Sequence, residues 1–247
     1  MNDPYRQAAE ALKHLQPAVA VTGAGISVES GIPHFRGQGG IWDKYPPEEY
    51  ATIEAWNDYP DKVWAFWMEL METLWDCEPN PAHYALAELE QMGLLQGVIT
   101  QNVDNLHQQA GSKSVIEYHG NARYLVADKF GHRILLDPEI HSGDTAPRSF
   151  DGTPMKPDIV FFGEPIPSEA VVGAARLAEG CKAMVVVGTS AQVYPAAGMP
   201  VLAHQNGAFI IEANVEQTDF TRTITHAFLE GPAGTTLPKL VETIKAL

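Results

Sequence analysis

Cysteine is scarce in this chain, occurring only as Cys77 and Cys181. Two thiols cannot build a disulfide framework or a four-thiolate metal site, so a reducing cytoplasm is the expected compartment. Basic residues are scarce too. Sixteen Lys and Arg stand against 31 Asp and Glu, a formal net charge of −15. Nucleic-acid binding depends on clustered Lys and Arg, so this balance argues against a nucleic-acid partner. The acidity would suit a lysine-rich peptide, but it serves equally to keep a cytosolic protein soluble, and charge alone decides little. No apolar run approaches the ~20 residues needed to cross a bilayer. Met1-Asn2-Asp3-Pro4 lacks the basic and apolar regions of a signal peptide. The expectation is a cytoplasmic chain, by default a monomer, with no membrane partner.

What is present is an alternation of apolar β-rich runs with helical patterns, the signature of a parallel sheet with crossover helices. Six strands are predicted, at 18–22, 97–101, 115–118, 183–187, 208–212 and 225–229. Helices are expected over 3–15, 81–92, 168–179, 196–206 and 237–247. Gly93, Gly180 and Gly207 stand where three of them should end in a left-handed turn. At 247 residues the chain can hold one large α/β domain carrying a smaller insertion. Two segments break the alternation. Residues 32–77 contain an aromatic-rich helix, 61–75, with Val63, Trp64, Trp67, Leu70, Met71, Leu74 and Trp75 on its apolar side. Residues 120–160 begin with a hairpin pattern, 123–127 and 133–136 around Lys129-Phe130-Gly131-His132, followed by a polar loop. The expected fold is therefore a Rossmann-like six-stranded sheet with helices on both faces, made of 1–31, 78–119 and 161–247. The two inserted segments would form a small module over it.

The strand ends carry the polar residues. They are Gly23-Ala24-Gly25-Ile26-Ser27, Asn102-Val103-Asp104-Asn105, His119-Gly120, Gly188-Thr189-Ser190, Asn214-Val215-Glu216 and Glu230-Gly231. Ligands of open parallel sheets bind beyond the carboxyl ends of the strands. One polar turn means little; six at one edge are better explained by a ligand. Gly23-x-Gly25 begins a dinucleotide fingerprint, because glycine lets backbone approach a pyrophosphate. Val28 stands where the dehydrogenase pattern needs its third glycine, and no clear acid follows to hold the ribose. A nucleotide site of another lineage remains open, with Asn214 and Glu216 as candidates for ribose or adenine contacts.

Read at full length, these loops closely resemble a family. The run from Gly23 through Ser27-Val28-Glu29-Ser30-Gly31-Ile32-Pro33-His34-Phe35-Arg36-Gly37 is similar to the first signature of the sirtuins, the NAD-dependent protein-lysine deacylases. Thr100-Gln101-Asn102-Val103-Asp104-Asn105-Leu106-His107 resembles the second, and Glu117-Tyr118-His119-Gly120 the third. The 157–164 segment looks like the substrate loop, and Gly188-Thr189-Ser190 with Val193-Tyr194-Pro195 like the later nucleotide segment. The resemblance runs from about residue 5 to the C-terminus.

The resemblance implies that NAD is consumed as a co-substrate, with nicotinamide and O-acyl-ADP-ribose released. It implies glycoside-like cleavage at the nicotinamide ribose, with His119 as the base acting through the ribose hydroxyls. Asn102 and Gln101 would orient the ribose, and Val103 and Asp104 would hold the nicotinamide amide. Phe35 would shield the reactive centre. Gly23, Ala24, Gly25, Arg36, Gly188, Thr189, Ser190, Asn214 and Glu216 would contact NAD. An acyl-lysine peptide would add as a strand between Val160–Glu164, which includes Phe162 and Gly163, and the Val193 segment. Taken alone, a histidine at a strand end is more often structural, and His107 keeps that reading; its matched context turns His119 into the base.

Three departures accompany the match. Most sirtuins carry two Cys-x-x-Cys pairs after the catalytic histidine that bind zinc, yet no cysteine lies between His119 and Phe161. No zinc is expected; His132, His141, Asp137 and Asp144 match no ligand pattern. Packing of the hairpin through Tyr124, Val126, Ile134 and Leu135 is expected to replace the metal. His34 stands where many members have Asp. Members that prefer acidic acyl groups place Tyr and Arg where Trp67 and Leu70 align here, so acetyl or longer apolar acyl groups are expected. Mono-ADP-ribosyl transfer or NAD hydrolysis on the same scaffold is the rival activity, and a nucleotide-sensing scaffold the non-enzymatic one.

Overall fold

The computed structural model describes residues 3–33, 40–127, 132–141 and 143–247. Helix α1 (Pro4–His14) is capped by Asp3, which accepts from the Tyr5 amide, and leads into β1 (Ala18–Thr22). Four helices come next in a row: α2 (Ile41–Lys44), α3 (Pro47–Tyr50), α4 (Ile53–Asp58) and α5 (Pro60–Trp75). The chain continues with α6 (Pro81–Gln91), β2 (Val98–Thr100), α7 (Leu106–Gln109) and β3 (Val115–Glu117). Strands β4 (Gly120–Ala127), β5 (His132–Leu135) and β6 (Lys156–Ile159) follow. The rest alternates: α8 (Ser168–Gly180), β7 (Ala183–Val187), α9 (Gly198–Gln205), β8 (Phe209–Asn214), α10 (Asp219–Thr223), β9 (Ala227–Glu230) and α11 (Ala233–Ala246).

The larger sheet has six strands in the order β3-β2-β1-β7-β8-β9, and every pairing is parallel. A parallel sheet needs both faces covered, and every residue of β1 and β7 is buried. Side chains alternate between faces along a strand. Ala18, Ala20, Ala183, Val185 and Val187 join one core with α1, α6 and α11. Val19, Val21, Met184 and Val186 join another with α8 and α9. The expected six-stranded sheet with helices on both faces is thus observed. The chain reverses its direction of growth between β1 and β7, the kind of point at which open α/β sheets place a ligand.

The helix ends differ in two respects from expectation. Gly93 and Gly207 adopt left-handed conformations after their helices, but α8 runs through Gly180 and ends in extended Cys181. Helix α11 begins at Ala233, a turn before the predicted start, with Pro238 inside it. Buried Ala233, Thr236 and Leu237 and the Glu29 carboxylate, which accepts from the Gly234 amide at 2.6 Å, outweigh the missing proline N–H.

The smaller sheet is antiparallel, in the order β5-β4-β6. Strand β6 was not foreseen, because Pro157 cannot donate to a ladder; it sits on an edge strand, where this is tolerated. The packing expected of the hairpin is also corrected. Ile134 and Leu135 are exposed and Tyr124 and Val126 half-buried, whereas Leu125, Ala122 and Leu136 fill the core. All four residues of β5 face solvent, and an irregularity in β4 between Gly120 and Leu125 turns both Ala122 and Leu125 inward. That core is shared with α5, whose Val63, Trp64, Trp67, Leu70, Met71 and Leu74 are all buried, and with Val103 and Leu106. Trp64 donates from its indole to the Gly143 carbonyl and Trp67 to that of Tyr50, both at 2.9 Å.

Leu125→Ala should therefore cost about 2–5 kcal/mol of stability. Leu135→Ala on the same hairpin should cost less than about 0.5 kcal/mol. Urea unfolding of the two variants checks the assignment.

Candidate active site

Because the six strands run in one direction, their carboxyl ends converge. A cleft of about 970 Å³ opens at that edge, within the size range of ligand sites. The first glycine loop and the β7 loop meet at its centre. The Gly23 amide donates to the Val187 carbonyl at 3.0 Å and the Gly25 amide to the Gly188 carbonyl at 2.8 Å. A Cβ on Gly25 would stand 2.7 Å from the Gly188 Cα, so no side chain fits between the loops. The backbone amides of Ala24, Thr189 and Ser190, all lining the cleft, have no partner among the described residues. Such amides suit an anionic ligand.

Asn102 is held from three sides. Its side-chain amide donates to the Gly23 carbonyl at 3.2 Å and to Ser27 Oγ at 3.0 Å, and its backbone amide donates to Thr100 Oγ1 at 3.1 Å. Ser27 in turn donates to Asp104 Oδ2 at 2.7 Å, and the Leu106 amide donates to Oδ1 at 3.0 Å. Burial raises the Asp104 pKa, and these hydrogen bonds pull against that rise. Gln101 donates to Thr189 Oγ1 at 3.2 Å, and Asn214 donates to the Thr189 carbonyl at 3.0 Å, tying the β2 and β8 ends to the β7 loop.

His119 lies half-buried two residues beyond β3, its ring edge-on to Tyr118. Its Nδ1 lies 3.1 Å from the Gln101 carbonyl oxygen. A carbonyl only accepts, so Nδ1 carries the proton and Nε2 is left as a free base. Burial lowers the His119 pKa, opposed by the Gln101 contact, and the ring is neutral near pH 7.

Val103, Trp67 and Glu216 also line the cleft, as do Val160, Phe162, Gly163 and Glu164 on one wall and Val193 opposite. Leu70 does not; it points into the module core, and Leu74, one turn on, takes the lining position with Ala51, Trp42, Ile32 and Phe161. Phe35, Arg36 and His34 lie outside the described residues. Sequence reasoning missed Ser27 as the link between Asn102 and Asp104, although it sits in the first glycine run. It also missed His83, which is masked by its place inside an ordinary helix. His107 is buried away from the cleft, with Nε2 2.9 Å from Thr22 Oγ1. Among the described residues no three His, Cys, Asp or Glu converge as metal ligands.

Beneath the cleft the His83 and His107 rings meet edge to face, 5.0 Å apart. Burial pushes His83 down to about 4 and, with His83 adding to it, His107 down to about 3. Both are neutral in the folded protein, while the unfolded chain protonates them below about pH 6.5. The unfolded state then binds more protons, so stability falls as pH drops from 6.5 towards 4. The loss from His83 alone should reach about 3 kcal/mol near pH 4. Urea unfolding at pH 7 and pH 4.5 measures it, and His83→Asn should flatten the dependence.

Comparison with known proteins agrees with this geometry. The Sir2 family model matches residues 23–195. An NAD-dependent protein deacylase 2 of Pyrobaculum aerophilum is 46% identical over 237 residues, covering 96% of this chain and 94% of that one. A Sir2 homologue solved as an ADP-ribose complex superposes with a TM-score of 0.93 at 37% identity, covering 100% of this chain and 97% of that one. A Sir2 protein bound to a myristoylated histone peptide superposes at 0.82 with 38% identity, covering 100% and 98%. On the match across 23–195 and the near full-length relatives, the chain belongs to the Sir2 family.

Proposed function

We propose that this protein is an NAD-dependent protein-lysine deacylase that moves an acyl group from lysine to ADP-ribose and releases nicotinamide. The observation that carries the reading is the free Nε2 of His119, in one cleft with Asn102 and two stretches of unpaired backbone. NAD supplies the electrophilic ribose carbon and the nicotinamide leaving group. The unpartnered amides of Ala24, Thr189 and Ser190 bind its phosphates, with Gly23, Gly25 and Gly188 allowing the close approach. Asn214 and Glu216 serve the adenosine end. Asn102 and Gln101 orient the nicotinamide ribose, and Val103 and Asp104 hold the carboxamide. His119 takes a ribose hydroxyl proton, and the Gln101 carbonyl then stabilises the imidazolium. Phe35 and Arg36 keep the roles implied by family resemblance. In this division 1–31, 78–119 and 161–247 bind NAD, while 32–77 and 120–160 cover the site.

The substrate enters as an extended peptide. The Val160 carbonyl and both backbone groups of Gly163 are unbonded among the described residues, which leaves an edge for strand addition opposite Val193. The wall beyond is apolar, with Ile32, Ala51, Trp67, Leu74, Ile159 and Phe161, and Trp67 stacks on Phe161 at 5.5 Å. Among the described residues no Lys or Arg lines this wall, and Lys156, whose Nζ lies 4.3 Å from the Phe161 ring, is already paired with Glu164 at 3.0 Å, which favours acetyl and longer apolar acyl groups. The relative solved with a myristoylated peptide supports the longer chains. We also take the enzyme to be cytoplasmic, monomeric and zinc-free. The described residues contain no helix long and apolar enough to cross a membrane, and one tightly bound zinc per chain would overturn the last point.

Mass spectrometry of products from NAD and a panel of acyl-lysine peptides tests the reading. Nicotinamide release should require the acyl peptide; equal release without it would mean NAD hydrolysis. His119→Ala should lower kcat by a factor of about 100–10,000 while NAD still binds. Succinyl-lysine should turn over more than about tenfold slower than acetyl-lysine, since an unpaired carboxylate is costly to bury.

A further inference from the structure

We propose that Glu54 selects substrates bearing a Lys or Arg close to the acyl-lysine, by pairing with that cation across Gly163. The inference rests on the deacylase reading. One edge of the 160–164 segment is already occupied: the Phe162 amide donates to the Ala51 carbonyl at 2.8 Å, the Ile53 amide to the Phe162 carbonyl at 3.0 Å, and Thr52 pairs with Phe162 in parallel. The opposite edge is the one an incoming peptide would join. Glu54, in the first turn of α4, reaches over this segment from the occupied side. A Cβ built on Gly163 would lie 3.2 and 3.3 Å from its two carboxylate oxygens. The carboxylate thus stands where a side chain at 163 would otherwise be.

Gly163 itself has φ +87° and lies in the turn that the Glu164 amide closes onto the Phe161 carbonyl at 3.0 Å, so an incoming peptide that reaches its free backbone groups runs alongside this turn. A peptide residue next to Gly163 meets no side chain from position 163. A Lys or Arg stem can cross the glycine and bring its charge to Glu54. The carboxylate is free to accept it. Glu54 is exposed and has no ion pair or hydrogen bond among the described residues. Nearby acids are engaged: Glu49 with Lys62 at 2.6 Å, Glu69 with Lys44 at 3.8 Å, and Glu164 with Lys156 at 3.0 Å. Residues 41–78 hold ten Asp and Glu against two Lys, a field that draws cationic peptides to this flank. A favourable contact with the α4 N-terminus accounts for an acid in the first turn. It does not account for the carboxylate resting on Gly163.

The test uses acetyl-lysine peptides that place Arg, Ala or Glu in turn at each of the three positions on either side of the modified lysine. At one position Arg should exceed Ala in kcat/KM by about two- to fivefold, the size expected of an exposed ion pair, with Glu below both. The difference should lie in KM and shrink at high salt. Glu54→Gln should erase the ratio, and Glu54→Lys should invert it so that the Glu peptide becomes the best. No charge preference in the natural protein, or an Arg preference that survives Glu54→Lys, overturns the proposal while leaving the deacylase reading intact. Failure to turn over any acyl peptide overturns that reading and this inference with it.

Discussion

The Gly25 amide bonds to the Gly188 carbonyl where the sheet changes direction, and the two loops touch there with no side chain between them. The rest of the site is referred to this contact. It fixes Gly23, whose carbonyl accepts from Asn102, and Thr189, which receives Gln101 on one side and Asn214 on the other. Gln101 in turn sets the tautomer of His119. A Cβ at either glycine would force the loops apart, and the displacement would pass along these bonds to the base.

The layer under the cleft is polar but holds neutral histidines. Ser27, Asp104, Thr22, Thr100, His83 and His107 are buried. In a low-dielectric interior an unpaired charge is expensive, and His107 Nδ1 has no hydrogen-bond partner among the described residues. Burial accordingly favours neutral His83, His107 and His119. A neutral imidazole is also the form a general base requires. The environment that makes His119 reactive near neutral pH thus resembles the one that makes this layer sensitive to acid.

Much of the larger sheet was legible in sequence. Its strands are short β-branched runs buried on both faces, and Gly, Asn or His punctuates their ends, so 18–22 and 183–187 coincide with β1 and β7. The smaller sheet was less legible. Proline hid β6, every residue of β5 faces solvent, and an irregularity in β4 between Gly120 and Leu125 breaks the alternation that would tell which side chains pack. In the site, the residues inside contiguous motifs could be found by pattern. Leu70 could not be placed, because helix periodicity puts Leu70 and Leu74 on one apolar side without saying which faces core and which faces cleft. His83 gave no signal, since its Nε2 comes 3.4 Å from Ser27 Oγ only after α6 packs under the first glycine loop.

The sequence alone determined the parallel sheet, the polar strand ends and the family to which those loops belong. These are properties of local pattern, set by propensity, periodicity and turn chemistry within a few residues. The tertiary structure decided which ring nitrogen of His119 is free, that Ser27 joins Asn102 to Asp104, and that Glu54 rests on Gly163. Each of these depends on side chains from elements far apart in the chain. Hydrogen bonding and sterics act over about 3–4 Å, and only folding brings such groups within that range.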